Sequence, residues 1–185
     1  MDPYDPLLAA WAVWALSWLI AAVWSDPAQA RPLVGSQLLY RLVTLAGAVM
    51  LFDVHDWGPR RLWTVPDGGE WAMVGLAVLG FGFCWWARLH LGRLWSGSIT
   101  RKQAHRIVDT GPYRLVRHPI YTGLIIAALA TAIERGTPVS LFGFALFVLG
   151  FWIKARLEET FLRSELGAAD YDGYARRTGM LVPFL

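Results

Sequence analysis

LLAAWAVWALSWLIAAVW, residues Leu7–Trp24, runs for 18 residues without a charge, and Ser17 is its only hydroxyl. A helix needs about 20 mostly apolar residues to cross the hydrocarbon core of a bilayer. With its flanks, this stretch predicts a first transmembrane helix. Ser25-Asp-Pro-Ala-Gln-Ala-Arg-Pro32 then breaks it with two prolines. The same pattern continues along the chain. Leu33–Phe52 is a second apolar run, interrupted by Gln37 and Arg41, and Trp71–Ala87 is a third, closed by Arg88. Ile120–Ile133 and Val139–Ile153 are shorter fourth and fifth runs, joined by the turn Glu134–Pro138. The sequence therefore predicts an all-α, polytopic integral membrane protein with about five transmembrane helices.

Composition agrees. The chain is 56% hydrophobic, against about 45–50% in soluble domains. Its 11 tryptophans fall largely near the ends of apolar runs, where indole rings settle in a bilayer interface. The net charge is +3, but the basic residues cluster beside apolar spans instead of striping a soluble fold, so no nucleic-acid partner is expected. Cys84 is the single cysteine, which excludes an intrachain disulfide and any multi-thiolate metal site. His55, His90, His105 and His118 have no ligand spacing, and no metal is expected. The acidic N-terminus lacks a basic n-region, so a cleavable signal peptide is not expected.

Past the fifth run, Lys154–Gly167 reads as an amphipathic helical extension. Leu157, Phe161, Leu162 and Leu166 can share one face, while Glu158, Glu159, Arg163 and Glu165 take the rest. Gly167 is a helix stop. Asp170 is expected to cap a short helix that carries Tyr171 and Tyr174 and ends at Gly179. In the third run, Gly75 and Gly82 are seven apart and share a face on which another helix can approach.

Charge sets the expected topology. With the segments on alternating sides, the side holding Arg31, Arg88–Arg117 and the C-terminal tail carries 13 Lys and Arg, against three (Arg60, Arg61, Arg135) on the other. The positive-inside rule makes the rich side cytoplasmic. Arg41 lies within a span, about 13 Å by helical rise from Pro32. Both interior pairing and a role toward an anionic ligand are open for it.

On the cytoplasmic side lies Gly111-Pro-Tyr-Arg-Leu-Val-Arg-His-Pro-Ile-Tyr-Thr-Gly123, a polar, cation-rich run feeding directly into an apolar one. Arg114, Arg117 and His118 supply charge and hydrogen-bond donors. Pro119 biases His118 to an extended conformation, which places an imidazole at the mouth of a helix. Arginines near a bilayer also serve as head-group anchors. The second constellation is Arg156 with Glu158, Glu159 and Arg163. Adjacent carboxylates point about 100° apart on a helix, so only one is expected to face a given partner. A Glu159–Arg163 pair would suit a solvated face. Zinc-protease, Walker-loop and nucleophile-elbow motifs are absent.

Leu91-Gly-Arg-Leu-Trp-Ser96, the run His105–Gly123, and the tail pattern Glu158-Glu-x-x-Leu-x-x-x-Leu-Gly167 with Tyr171, Tyr174 and a terminal Val-Pro-Phe together resemble the isoprenylcysteine carboxyl methyltransferase family. The resemblance covers residues 88–185; the first two spans contribute nothing to it. The apolar runs predict a three-helix transmembrane portion over 1–87, and the resemblance implies that 88–185 is the catalytic portion of the same single domain. It also implies S-adenosyl-L-methionine as cofactor, a lipophilic prenylated or lipid substrate, and a cytoplasmic-side active site. The cofactor residues it implies are His105, Gly111, Tyr113, His118, Tyr121 and Gly123, with Glu158 and Glu159. For orienting the acceptor it implies Arg156, Glu159 and Arg163, beside which Arg117 is a further cation. Phospholipid N-methyltransferases share part of these motifs, and so do some membrane sterol reductases.

Overall fold

A computed structural model describes residues 5–23, 34–53, 61–92, 95 and 107–183. They form six α-helices: α1 (Pro6–Ala22), α2 (Val34–Phe52), α3 (Gly69–Leu91), α4 (Pro119–Arg135), α5 (Pro138–Leu166) and α6 (Ala168–Ala175). A 3-10 turn spans Gly111–Arg114, and no strand longer than an isolated bridge occurs among the described residues. α3 and α5 are long and apolar enough to cross a membrane, whereas α1 and the apolar part of α2 are shorter. The expected hairpin around Ile99–Val108 falls mostly outside the described residues.

Local chemistry sets the helix ends. Asp5 caps α1 by accepting from the backbone N–H of Leu7 (3.0 Å) and Leu8 (3.1 Å), and Pro6 occupies a position where a missing N–H costs nothing. Between α4 and α5, Gly136 takes a left-handed conformation (φ 62°). Thr137 then caps α5 through the Ser140 N–H (3.1 Å), with Pro138 following. The fifth run and the amphipathic extension are one helix of 29 residues, about 43 Å long. That exceeds a hydrocarbon core of about 30 Å, so its last third can project beyond the apolar layer.

α2 packs antiparallel against α5 and α3 against α4. Glycines set both crossings. On the α2/α5 seam, a Cβ at Gly47, Gly143 or Gly150 would collide with backbone or Thr44 of the facing helix. On the α3/α4 seam Gly80 and Gly123 face each other, and a Cβ on either would run into the other's carbonyl oxygen. The expected Gly75–Gly82 face is not the contact: both residues look into open space. Helix phase explains the difference, since Gly80 lies five residues from Gly75 and two from Gly82.

Several tryptophans turn inward. Trp14 stacks on Trp18 and on Phe81, Trp11 meets Phe81 edge-on, and Trp18 meets Trp85 and Trp95. Trp11 also donates to Thr131 Oγ1 at 2.9 Å. The indoles of α1 therefore fasten it to α3 and α4, and Trp14 does so from the midpoint of the helix instead of its ends.

The two ends of the bundle differ. At one end Arg135 pairs with Asp5, Trp63 donates to the Ile133 carbonyl (2.8 Å) and Thr137 to Asp53 (3.0 Å). At the other end Arg88 donates to the Ala21 carbonyl and its guanidinium lies 3.5 Å from the Trp95 ring centroid. The 3-10 turn, the start of α4 and the end of α5 gather at this second end.

α6 begins at Ala168 and ends at Ala175, which corrects the expected span from Asp170 to Gly179. Gly167, with φ 96°, already redirects the chain, so Asp170 falls inside the first turn. Gly179 is used instead in a parallel bridge with Val116.

Candidate active site

Pro119 starts α4 and keeps His118 out of the helix, at φ −124° and ψ 63°. The backbone before it is tied to the tail. Arg117 N–H donates to the Gly179 carbonyl (2.8 Å) and His118 N–H to that of Met180 (3.1 Å). One turn into α4, the Thr122 hydroxyl donates to the Leu181 carbonyl (2.7 Å). These bonds hold the His118 imidazole at the mouth of α4, where the residue is 8% exposed.

Glu158 and Glu159 reach the imidazole from α5. His118 Nδ1 lies 3.5 Å from Glu158 Oε2 and Nε2 lies 3.3 Å from Glu159 Oε1. Two carboxylates about 100° apart were expected to face different partners. The ring overcomes that divergence by presenting one nitrogen to each. Burial pushes the imidazole toward its neutral form, but the hydrogen bonds and charges of Glu158 and Glu159 outweigh it and hold its pKa above the ordinary value.

Tyr121, one turn along α4, completes the wall. Its ring lies flat on the imidazole, with centroids 5.2 Å apart and planes 5° apart, and its hydroxyl donates to Glu158 Oε2 at 2.6 Å. Arg117 secures the other carboxylate: Nε donates to Glu159 Oε1 at 2.6 Å. Its Nη1 donates to the carbonyls of Ala175 (3.0 Å) and Thr178, so this guanidinium is largely occupied by structure.

The other expected residues are placed around this centre in different ways. Tyr113 is buried; its carbonyl accepts from the Tyr174 hydroxyl at 2.7 Å and its ring lies beside His90. Gly111 adopts φ 57°, and a Cβ there would sit 2.7 Å from His90 Cε1, so both conformation and space call for glycine. Gly123 lies at the α3/α4 crossing, on the Cys84 side. Arg156 is exposed, over the Trp152 ring. Arg163 is exposed and forms a fork with Asp172, 2.8 Å at both nitrogens, in place of a pair with Glu159. His105 lies outside the described residues. No group of three or more metal-ligating side chains occurs among the described residues.

Sequence reasoning missed Lys154. Its ammonium lies 4.9 Å from the Tyr121 ring centroid and 5.7 Å from that of Tyr40. The available signal was position, because Lys154 precedes Glu158 by one turn and shares its face.

This arrangement presents two carboxylates and an aromatic wall, which suits a cationic ligand, beside basic groups from α2 and α5. Among the described residues it contains no serine or cysteine aligned with a base. The isoprenylcysteine carboxyl methyltransferase family model matches residues 73–164, from α3 through nearly all of α5, including the whole His118–Glu158–Glu159 cluster.

The chain belongs to this family. Protein-S-isoprenylcysteine O-methyltransferase B of Arabidopsis thaliana is 34% identical over 89 residues, 48% of this chain and 45% of its own length. A probable protein-S-isoprenylcysteine O-methyltransferase of Oryza sativa subsp. indica is 37% identical over 88 residues, 47% and 46% of the two chains. Methanethiol S-methyltransferase of a Pseudomonas species is 31% identical over 145 residues, 69% of this chain and 52% of its own. The chain thus spans about half the length of the curated relatives it matches. Within the family, the tail and α4 motifs of this member meet through a single imidazole.

Proposed function

We propose that the protein is a multi-pass membrane methyltransferase, with about five spans and its site at the cytoplasmic face. It would use S-adenosyl-L-methionine to esterify the carboxylate of an isoprenylcysteine-like lipophilic acid. The observation that carries this reading is the His118 imidazole held between Glu158 and Glu159 against Tyr121, in a chain of this family.

The residues present fit the cofactor. Its ammonium and sulfonium are cationic, and Glu158 and Glu159 offer carboxylates of which the hydrogen bonds described above engage one oxygen each. Tyr121 supplies an aromatic face and Tyr113 frames the neighbouring turn. When bound, the cofactor supplies a methyl carbon activated by a positive sulfur, which leaves with the bonding electrons as a neutral thioether. The acceptor carboxylate is already ionised near neutral pH, so the chain's own residues need not remove a proton. Their task is alignment. His118 and Arg117 fix the two glutamates, the tail backbone at Gly179 and Met180 fixes His118, and the apolar spans keep the lipophilic part of the acceptor in the bilayer.

A second reading is methyl transfer to a thiol, favoured by the similarity to the Pseudomonas S-methyltransferase over 69% of this chain. Purified protein incubated with methyl-labelled cofactor and either a farnesyl-cysteine analogue or a small alkyl thiol separates the two. A base-labile ester on the thioether acid supports the leading reading. Label confined to a base-stable methyl thioether replaces it with the second. Label on a lipid amine removes both. His118→Ala and Glu159→Ala are expected to abolish transfer in protein that still purifies as a folded monodisperse species.

A further inference from the structure

The cations expected to orient the acceptor are committed elsewhere: Arg117 to Glu159 and the tail carbonyls, Arg163 to Asp172, and Arg156 to the outer face beside Trp152. The α2/α5 seam supplies others. Its outer half is lined by Gly47, Gly143 and Gly150, which bring the helices together. Toward the site, the same seam turns polar. Arg41 Nη2 donates to Gln37 Oε1 at 2.9 Å, and the Tyr40 hydroxyl donates to the same oxygen at 3.2 Å. The Tyr40 ring lies between two cations, with Lys154 Nζ 5.7 Å and Arg41 Cζ 5.9 Å from its centroid. Lys154 is within electrostatic reach of both Arg41 and Glu158, and it covers the face of Tyr121. A polar path therefore runs from Glu158 through Tyr121, Lys154 and Tyr40 to Arg41.

Arg117 and Glu159 form one ion pair, and the His118 imidazole sits between the two glutamates. Lys154 and Arg41 add two cations around Tyr40, within segments that read as membrane spans, where ionisable side chains mark ligand pathways. Arg41 is also exposed, between Leu38 and Leu45 on the outward side of α2, both themselves exposed. The path opens sideways onto an apolar surface at its basic end.

We propose that Arg41 and Lys154, framing the Tyr40 ring on the α2/α5 seam, form the receptor for the anionic end of the acceptor, with its lipophilic tail along Leu38 and Leu45. The carboxylate entering from the bilayer meets Arg41 first and Lys154 next, which brings it onto the Tyr121 side of Glu158. An amine-bearing lipid head would meet two like charges on the same route. This inference rests on the reading of the chain as a methyltransferase for a lipophilic acid. It adds residues of α2, which lies outside the stretch matched by the family model.

The test uses the full chain in nanodiscs of zwitterionic lipid and compares binding of S-farnesylthioacetic acid with its primary carboxamide. Hydrogen bonds to a charged group are worth about 1.5–3 kcal/mol, so the wild type is expected to prefer the acid by roughly tenfold or more. Arg41→Gln and Lys154→Gln should each bring the ratio down to within about twofold of unity, and Arg41→Lys should restore most of it, since it keeps the charge. A wild type without preference, or a ratio unchanged in both glutamine variants, overturns the proposal. So does loss of anionic-vesicle binding in Arg41→Gln with the acid preference intact, which makes Arg41 a lipid anchor. Label transfer and cofactor calorimetry run in parallel. An acid preference that depends on Arg41 without methyl transfer keeps the receptor and removes the proposed function; transfer with an insensitive ratio does the reverse.

Discussion

Arg117 Nε and Glu159 Oε1 lie 2.6 Å apart across 42 residues of sequence, and each side chain is only 12% exposed. This pair joins the α4 motif to the projecting end of α5. Through Nη1 the same guanidinium holds the carbonyls of Ala175 and Thr178, so one side chain fastens α5, α6 and the tail to a single point.

Removing one partner of a buried pair leaves the other charge uncompensated, at a cost of about 3–5 kcal/mol. Arg117→Ala is therefore expected to lower the melting temperature by roughly 6–20 °C, taking about 2–4 °C per kcal/mol for a chain of this size. Limited proteolysis should find new cleavage beyond Ala175. The double variant Arg117→Met with Glu159→Met should lose less than either single charge removal. A double variant that melts below both singles would show that the pair's hydrogen bonds to the tail, and not its charges, hold this end together.

His118 predicts a pH dependence. Its pKa in the folded protein is raised above the ordinary value, burial being outweighed by Glu158 and Glu159. A raised folded pKa means that the stabilisation is fully present below the unfolded pKa and is lost as pH rises through the folded one. Thermal stability should accordingly fall as pH is raised from about 6.5 through the shifted pKa. His118→Gln should flatten that slope while lowering stability at acid pH. An equal slope in both proteins would assign the titration to another group.

Tyr121 separates stacking from hydrogen bonding. Tyr121→Phe keeps the ring against His118 (5.2 Å) and Phe151 (5.0 Å) but deletes the donor to Glu158. A lost hydrogen bond to a carboxylate costs about 1.5–3 kcal/mol, and Glu158 would then be held chiefly by His118. Cofactor affinity, read by calorimetry, should fall roughly ten- to a hundredfold. Tyr121→Leu should lose the stack as well and fall further. Equal affinities for wild type and Tyr121→Phe would place the cofactor away from Glu158.

The helices were legible because an apolar run can be read without knowing its neighbours. Prolines and glycines marked their ends, as at Pro119, Gly136 and Pro138. The meeting of His118 with the Glu158–Glu159 pair was legible only as a resemblance between separated motifs. Its geometry was not, because backbone periodicity puts the carboxylates on diverging directions and says nothing of a two-nitrogen ring between them. Lys154 looked like an ordinary cation flanking a span, and for Arg41 interior pairing and a role toward an anionic ligand were both open. Their relation through Tyr40 depends on the α2/α5 register, which is set by the contacts of Gly47, Gly143 and Gly150 between two helices about 100 residues apart in sequence.

Glycine phase gives a last prediction with opposite signs at neighbouring positions. Gly80 faces Gly123, and a Cβ on either would meet the other's backbone; at Gly123 it would also sit 2.6 Å from Cys84 Sγ. Backbone cannot rotate away as a side chain can, so Gly80→Ala must spread α3 from α4. Overpacking of this kind costs about 1–3 kcal/mol, and the shift would move His118, which caps the same helix five residues before Gly123, relative to α5. Gly75→Ala and Gly82→Ala meet nothing within 4 Å, and replacing glycine by alanine within a helix gains about 0.5–1 kcal/mol. Thermal unfolding in detergent should show Gly80→Ala and Gly123→Ala destabilised and the other two variants unchanged or slightly stabilised. Cofactor affinity should fall in the first pair alone. If Gly75→Ala destabilised as much as Gly80→Ala, the face that α3 presents to α4 would be rotated from the one described.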